Sequence, residues 1–477
     1  MDISKKQVLA KYNAWWETGA VPKDKVGVER SELLGRALQE LDTDLIKIIF
    51  GIRRSGKTFL VHQVINRLLE NGTKPKNILY VTLDSFEIQQ GFKSLLEIVQ
   101  DYCSEDGEKK FVFIDEVQYF DKWEIQLKNI YDSMKGKINL YVTGSSSFII
   151  KTKKADPLLG RNVELHVFPL SFKEFIQLKK PDLKLKSVGE FKRDYTELSY
   201  SINAITNVLD SYLSSSGYPE VAITGVRNEQ QYFELYLSDI FIKDIARFWE
   251  IKDMPALETT AKFALQNVGQ RFSYTKIANA LNQNTQAIMN YVGHLSSCQM
   301  IRFVEYYSKS YANRAKKEKK VYAIDHGFCN FLFKQQNQGC IVENVVYVHL
   351  LRNAKPLAPG IFYWKNKYEV DFVIEDPEGE ITPIEVKYQN AINPEDYKGL
   401  YSFFKHFKKV KYGIMVTKDR FELHQTKDGG TIQLVPLWLF LLSFWPIEWN
   451  DHFQVFDLIG IELGSKLIDP VQKVRSF

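Results

Sequence analysis

The sequence predicts an α/β protein with two sheet-bearing regions joined by a helical middle. Three observations predict it. Apolar runs at Leu45–Phe50, Asn77–Leu83, Lys110–Asp115 and Ile138–Thr143 alternate with helical stretches, the pattern of a parallel sheet buried on both faces. From Asp194 to Glu305 the spacing is mostly helical, broken by the turn Ser214–Pro219. From Val321 to about Trp445 strand-like runs return around a hairpin turn at Asp376–Gly379.

The elements follow in order. Residues 4–18 suit a short helix with Val8, Tyr12, Trp15 and Trp16 toward an apolar surface, and residues 1–30 read as an N-terminal extension. A helix at Ser31–Leu41 opens on an N-cap serine with Glu32 in its first turn. The strand Leu45–Phe50 then feeds Gly51-Ile52-Arg53-Arg54-Ser55-Gly56-Lys57-Thr58, and an amphipathic helix follows to about Leu69. Glycines at 51 and 56 let the backbone curl so that successive N–H groups and a helix N-terminus face a phosphate. Lys57 is placed for the β- and γ-phosphates, and the Thr58 hydroxyl for Mg²⁺. The stretch therefore implies ATP or GTP binding, with Arg53, Arg54 and Ser55 inside the loop.

Phe111–Glu116 is an apolar strand ending in two carboxylates. Asp115 is the candidate Mg²⁺ holder, and Glu116 the candidate base that polarises an attacking water. The strand Ile138–Thr143 runs into Gly144 and three serines, where Ser145 is a candidate γ-phosphate contact and a plain serine turn gives the same letters. A last strand, Val163–Phe168, closes a region of residues 31–175.

The middle divides into a helical segment, 194–250, and a helix-turn-helix pattern with a strand-like Ile301–Tyr307, which together make residues 251–312 read as a winged helix. Arg314–Lys320 is a basic loop, readable as a solvated linker or as a phosphate contact. In the region 321–446, Asp371 lies on one hairpin strand and Glu385 and Lys387 on the other. Glu385 and Lys387 share a face because strand side chains alternate. Asp371 joins them only if the loop is longer than two residues or a bulge shifts the register. Two converging carboxylates suit Mg²⁺ or Mn²⁺, a neighbouring lysine can orient water, and Glu343 is a candidate fourth member. Alternating charge on an exposed sheet gives the same pattern.

Composition bounds the rest. The chain has 477 residues, too many for one core. A net charge of +5 permits a nucleic-acid partner without arguing for one. Cys103, Cys298, Cys329 and Cys340 lack zinc spacing. The N-terminus lacks the apolar core of a signal peptide, and the most apolar run, Ile432–Trp445, is too short to span a bilayer, so a cytoplasmic protein without a membrane partner is expected. Residues 447–477 read as an extension without a legible role.

The motifs GIRRSGKT, FIDEVQ, VTGSSS and LLGRNVELHVFPLSFKEF occur in the order found in a large prokaryotic group of AAA-type ATPases. SGYPEV, ENVVYVHLLRN, EVDFVI and PIEVK also resemble that group, over roughly Val28–Leu442. The resemblance implies a P-loop ATPase of AAA type, a winged helix, and a C-terminal domain that looks like a restriction-endonuclease fold. It also implies that Arg161 is an arginine-finger or sensor candidate, and by analogy that subunits assemble into homo-oligomers. Two functions fit: an ATPase coupled to DNA binding and metal-dependent cleavage, or an ATP-dependent switch whose C-terminal domain only binds partners.

Overall fold

The computed structural model describes residues 3–103, 108–145, 157–183, 195–225, 229–333, 337–354 and 360–442. The serines at 146 and 147 and the extension 447–477 lie outside the described residues. The chain forms two compact units. The first holds the described residues up to Pro169 with Tyr236–Ile251 and His294–Gln299; the second holds Leu170–Leu235, Lys252–Gly293 and the described residues from Met300 onward.

The first unit is built on five strands: β1 (Ile46–Gly51), β2 (Ile78–Thr82), β3 (Lys110–Asp115), β4 (Ile138–Ser145) and β5 (Asn162–His166). Every pairing is parallel and the order is β2-β3-β4-β1-β5. Alternation sorts the strand residues to two buried faces. Ile48, Val81, Val112, Ile114 and Val142 pack on one side, and Ile49, Tyr80, Phe113 and Tyr141 on the other with the helix Lys57–Glu70. Because β1 lies between β4 and β5, the loop leaving its C-terminal end lies beside the ends of both.

The N-terminal segment is part of this unit. It forms two helices, Ile3–Tyr12 and Trp15–Thr18, instead of one. They seal the exposed edge of β2. The Asn13 amide donates to Tyr80 O at 2.8 Å and accepts from Tyr80 N–H at 2.7 Å, while the indoles of Trp15 and Trp16 donate to Ile78 O. Side chains thus satisfy backbone groups that an edge strand would leave open.

The second unit carries an eight-stranded mixed sheet: β6 (Ile301–Tyr306), β7 (Lys320–Ala323), β8 (Gly360–Lys365), β9 (Glu369–Glu375), β10 (Ile381–Lys387), β11 (Tyr412–Thr417), β12 (Glu422–Gln425) and β13 (Thr431–Pro436). Their order is β12-β13-β11-β10-β9-β8-β6-β7. The sheet therefore begins earlier than the boundary at Val321 suggests, since β6 pairs antiparallel with β7 and parallel with β8. Lys320, counted with a basic loop in the sequence, instead opens β7 and is buried, and the residues before it include a helical turn, Tyr311–Lys316. Trp364, Val373, Leu400, Phe403, Met415 and Leu434 fill the core beneath.

Three helices precede β6: Met254–Gln266, Tyr274–Ala280 and Thr285–Ser297. Asp253 caps the first, and its other carboxylate oxygen accepts from the Gln283 amide at 2.8 Å in the turn before the third. The extended residues between the first two bond to β7 through a bridge of Arg271 to Lys320. The SGYPEV turn is a buried knot, where Asp325 accepts from the Ser216 hydroxyl and from the N–H groups of Gly217 and Gly327 at 2.7–2.9 Å.

Candidate functional site

Packing explains both loop glycines. A Cβ on Gly51 would sit 2.1 Å from Val167 O, and Gly56 has φ +98° just before the helix. Gly51→Ala must push β5 away; a loss of about 1–3 kcal/mol is expected, visible as a lowered melting temperature with weakened nucleotide binding. Lys57 is buried, and its ammonium donates to Gly51 O and Ile52 O at 3.1 and 3.2 Å. Burial pushes the Lys57 pKa down, with Glu116 and Asp244 opposing. Ser55 Oγ is buried without a hydrogen-bond partner.

Asp115 is the hub beneath the loop. It accepts from the hydroxyls of Thr58 (2.8 Å), Tyr80 (2.9 Å) and Thr143. Thr58 and Asp115 side by side are a hard-oxygen pair of the kind Mg²⁺ takes. Glu116 follows in the left-handed region (φ +57°), its N–H donating to Thr143 Oγ1 at 3.1 Å and one carboxylate oxygen accepting from the Gln118 amide. That sharp turn points the two neighbouring carboxylates differently, which two roles require. Ser145 ends β4, buried and in register with Gly51. Arg161 is elsewhere in its bonding, held by Asp132 at 3.3 Å and Pro157 O at 3.5 Å.

Nothing local in the chain marks what holds Arg53 and Arg54. Arg53 makes a two-point bond to buried Asp244 (Nε–Oδ2 3.0 Å, Nη2–Oδ1 2.9 Å), which lies 191 residues away on a wide-turn helical segment, Ile240–Ala246. Burial raises the Asp244 pKa and Arg53 counters it; the same partnership outweighs burial and raises that of Arg53. Arg54, at φ +65°, bonds Asp239 at 2.9 Å and stacks on Tyr236, while Arg247 stacks on Tyr119 at 3.7 Å, three residues beyond Glu116. Residues 236–251 thus grip both the phosphate loop and the turn that carries Glu116. A one-residue signal, an acid on a helical run, could not reveal this.

In the second unit the hairpin supplies the longer loop that the sequence required. The last ladder pair, Ile384 with Phe372, makes Glu385 and Asp371 the next positions along. Asp371 Oδ2 accepts from Val386 N–H at 2.9 Å, and Glu385 Oε1 pairs with Lys387, leaving Glu385 Oε2 buried without a partner. Lys320 stands among the carboxylates expected to form a cation pocket, beside Glu343 and Asp371. Its ammonium bonds Glu343 (2.7 Å), Glu369 (2.9 Å) and Asp371 (3.3 Å). Glu343 also accepts from Tyr322 OH at 2.7 Å. Among the described residues no group of three or more His, Cys, Asp or Glu is arranged to hold a metal ion.

Burial, then repulsion from Asp371, pushes Glu385 up to about 8 and Glu343 up to about 7, with the lysines opposing. Both folded values exceed the ordinary carboxylate range, so their contribution to stability is full at low pH and lost as pH rises through about 7 and 8. The melting temperature of this unit should fall between pH 5 and pH 8.5, and Glu385→Gln should flatten the fall. An equally steep decline in Glu385→Gln would assign it to other groups.

Residues 43–176 match the family model of an AAA domain, and residues 206–339 and 338–440 match two families described as domains of unknown function. The chain is 28% identical over 431 residues to an uncharacterized protein of Haemophilus influenzae, covering 87% of this chain and 99% of that one. It is also 28% identical over 432 residues to an uncharacterized protein of Methanocaldococcus jannaschii, covering 87% and 92%. The solved structure of a Walker-type ATPase of Pyrococcus abyssi is similar at 16% identity and TM-score 0.41, covering 64% of this chain and 95% of that one. By the family match, residues 43–176 carry an AAA-type ATPase-like domain, and the phosphate loop and the Asp115 hub lie within that stretch. No helix among the described residues is long and apolar enough to cross a membrane.

Proposed function

We propose that the first unit is a Mg²⁺-dependent ATP hydrolase. The carrying observation is the Asp115 hub, which fixes the Thr58 hydroxyl beside a carboxylate directly below the phosphate loop. Thr58 and Asp115 would hold Mg²⁺, which offsets phosphate charge when bound. Lys57 and the loop N–H groups grip the β- and γ-phosphates, and Glu116 accepts a proton from the attacking water. Arg161, paired with Asp132, is the arginine-finger or sensor candidate toward a phosphate in its own or a neighbouring subunit. Phosphate release with Mg-ATP, lost in Lys57→Ala, tests the reading.

The work coupled to hydrolysis is DNA engagement. Three helices, a bridge from Arg271 to Lys320, and the β6–β7 pairing support the reading of residues 251–312 as a winged helix. Contact of this kind is phosphate-led, so retention on duplex DNA should fall steeply between ~50 and ~200 mM salt. Flat salt dependence, with an ATPase rate indifferent to DNA, favours a switch that engages protein partners. A specific observation favours the second reading for the C-terminal sheet: the Lys320 ammonium already stands within its acidic cluster. On that reading the domain binds without cutting.

A further inference from the structure

The Lys320 ammonium lies within 3.3 Å of three carboxylates contributed by different elements: Glu343 on the helix Gln338–Asn353, and Glu369 and Asp371 on β9. It is not a surface lysine swinging in. It stands at the first position of β7, its side chain 1% exposed, and its backbone is fixed by pairing with Val304 on one side and Arg271 on the other. Gly269, at φ +75°, leaves room for Glu343, since a Cβ there would lie 3.1 Å from Glu343 Oε2. The backbone on both sides of the cluster is therefore shaped to this arrangement. An ammonium with three oxygen neighbours at 2.7–3.3 Å uses its three N–H donors and single positive charge where a divalent cation would sit at ~2–2.6 Å. Lys387 does the same for Glu385 Oε1, while Oε2 stays buried and unpartnered next to the cluster.

We propose that Lys320 is a built-in cation: it occupies the position a divalent metal would take among Glu343, Glu369 and Asp371, and its removal opens a divalent-cation site there. This rests on the reading of the domain as a binding module. Moving a buried ammonium out of three carboxylates to admit a metal would expose an unpaired charge on each side of the exchange, which is costly.

The test is Mn²⁺ binding to the nucleotide-free full chain, followed by electron paramagnetic resonance of free Mn²⁺. Asp371→Asn should leave the wild-type binding curve unchanged. Lys320→Met should gain one Mn²⁺ per chain, at least tenfold tighter than any wild-type site, and Asp371→Asn in that background should abolish the gain. Wild-type binding that Asp371→Asn removes would overturn the proposal, as would a folded Lys320→Met with no gained site. If Lys320→Met does not fold, the wild-type pair still decides. DNA cleavage by the wild type that Asp371→Asn leaves intact, with no cation bound, would sink the binding-module reading while supporting the place of Lys320.

Discussion

Glu116→Gln should retain ATP binding and lose turnover by ~10²-fold or more, because the glutamine keeps the size and one hydrogen-bonding oxygen but cannot take a proton. The Gln118 amide that donates to Glu116 and the Thr143 hydroxyl that accepts its N–H should hold either side chain in place. Melting temperature should therefore stay close to wild type while phosphate release collapses, a split that a merely structural residue would not give. The comparison with Asp115 sharpens it. Asp115→Asn disturbs three hydroxyl bonds at once, so it should lower both stability and Mg²⁺-dependent nucleotide affinity. Undiminished turnover in Glu116→Gln would mean that another group activates the water.

Asp244→Ala should produce the largest stability loss among single changes around the loop. The Asp244 side chain is 3% exposed and that of Arg53 19%, so truncation leaves a guanidinium partly desolvated with no partner. Breaking a buried pair in this way costs about 3–5 kcal/mol. The residual exposure of Arg53 places the loss toward the lower end, a drop of roughly 6–12 °C for a unit of this size. Replacing both partners by apolar residues, Arg53→Met with Asp244→Leu, should recover most of it, since the net worth of such pairs is small. Thermal unfolding of the two singles and the double reads the coupling. Additive losses would show that the bond matters little and that the segment is held by its apolar contacts.

The first sheet was legible because its strands are buried on both faces and punctuated by a loop with strict residue demands. Gly51, Gly56, Lys57, Thr58, Asp115 and Glu116 are adjacent in sequence to the strand ends that place them, so local pattern was enough. Asp244, Tyr80 and Thr143 were missed for the opposite reason. Each acts through a partner tens to hundreds of residues away, and an aspartate on a helical run or a threonine on a strand carries no mark of that. The C-terminal cluster shows both cases at once. Strand alternation put Glu385 and Lys387 on one face, but Lys320 came from a strand whose first residue looked like the end of a basic loop. β12, the polar strand Glu422–Gln425, had no apolar alternation to announce it.

The central claim is that the phosphate loop of the first unit binds and hydrolyses Mg-ATP. Steady-state phosphate release by the wild type and by Lys57→Ala, each with and without Mg²⁺, tests it most directly. The account predicts release that requires Mg²⁺ and disappears in Lys57→Ala while the fold is retained. Release that persists in Lys57→Ala, or a wild type that binds Mg-ATP without turning it over, alone or with duplex DNA, would contradict it.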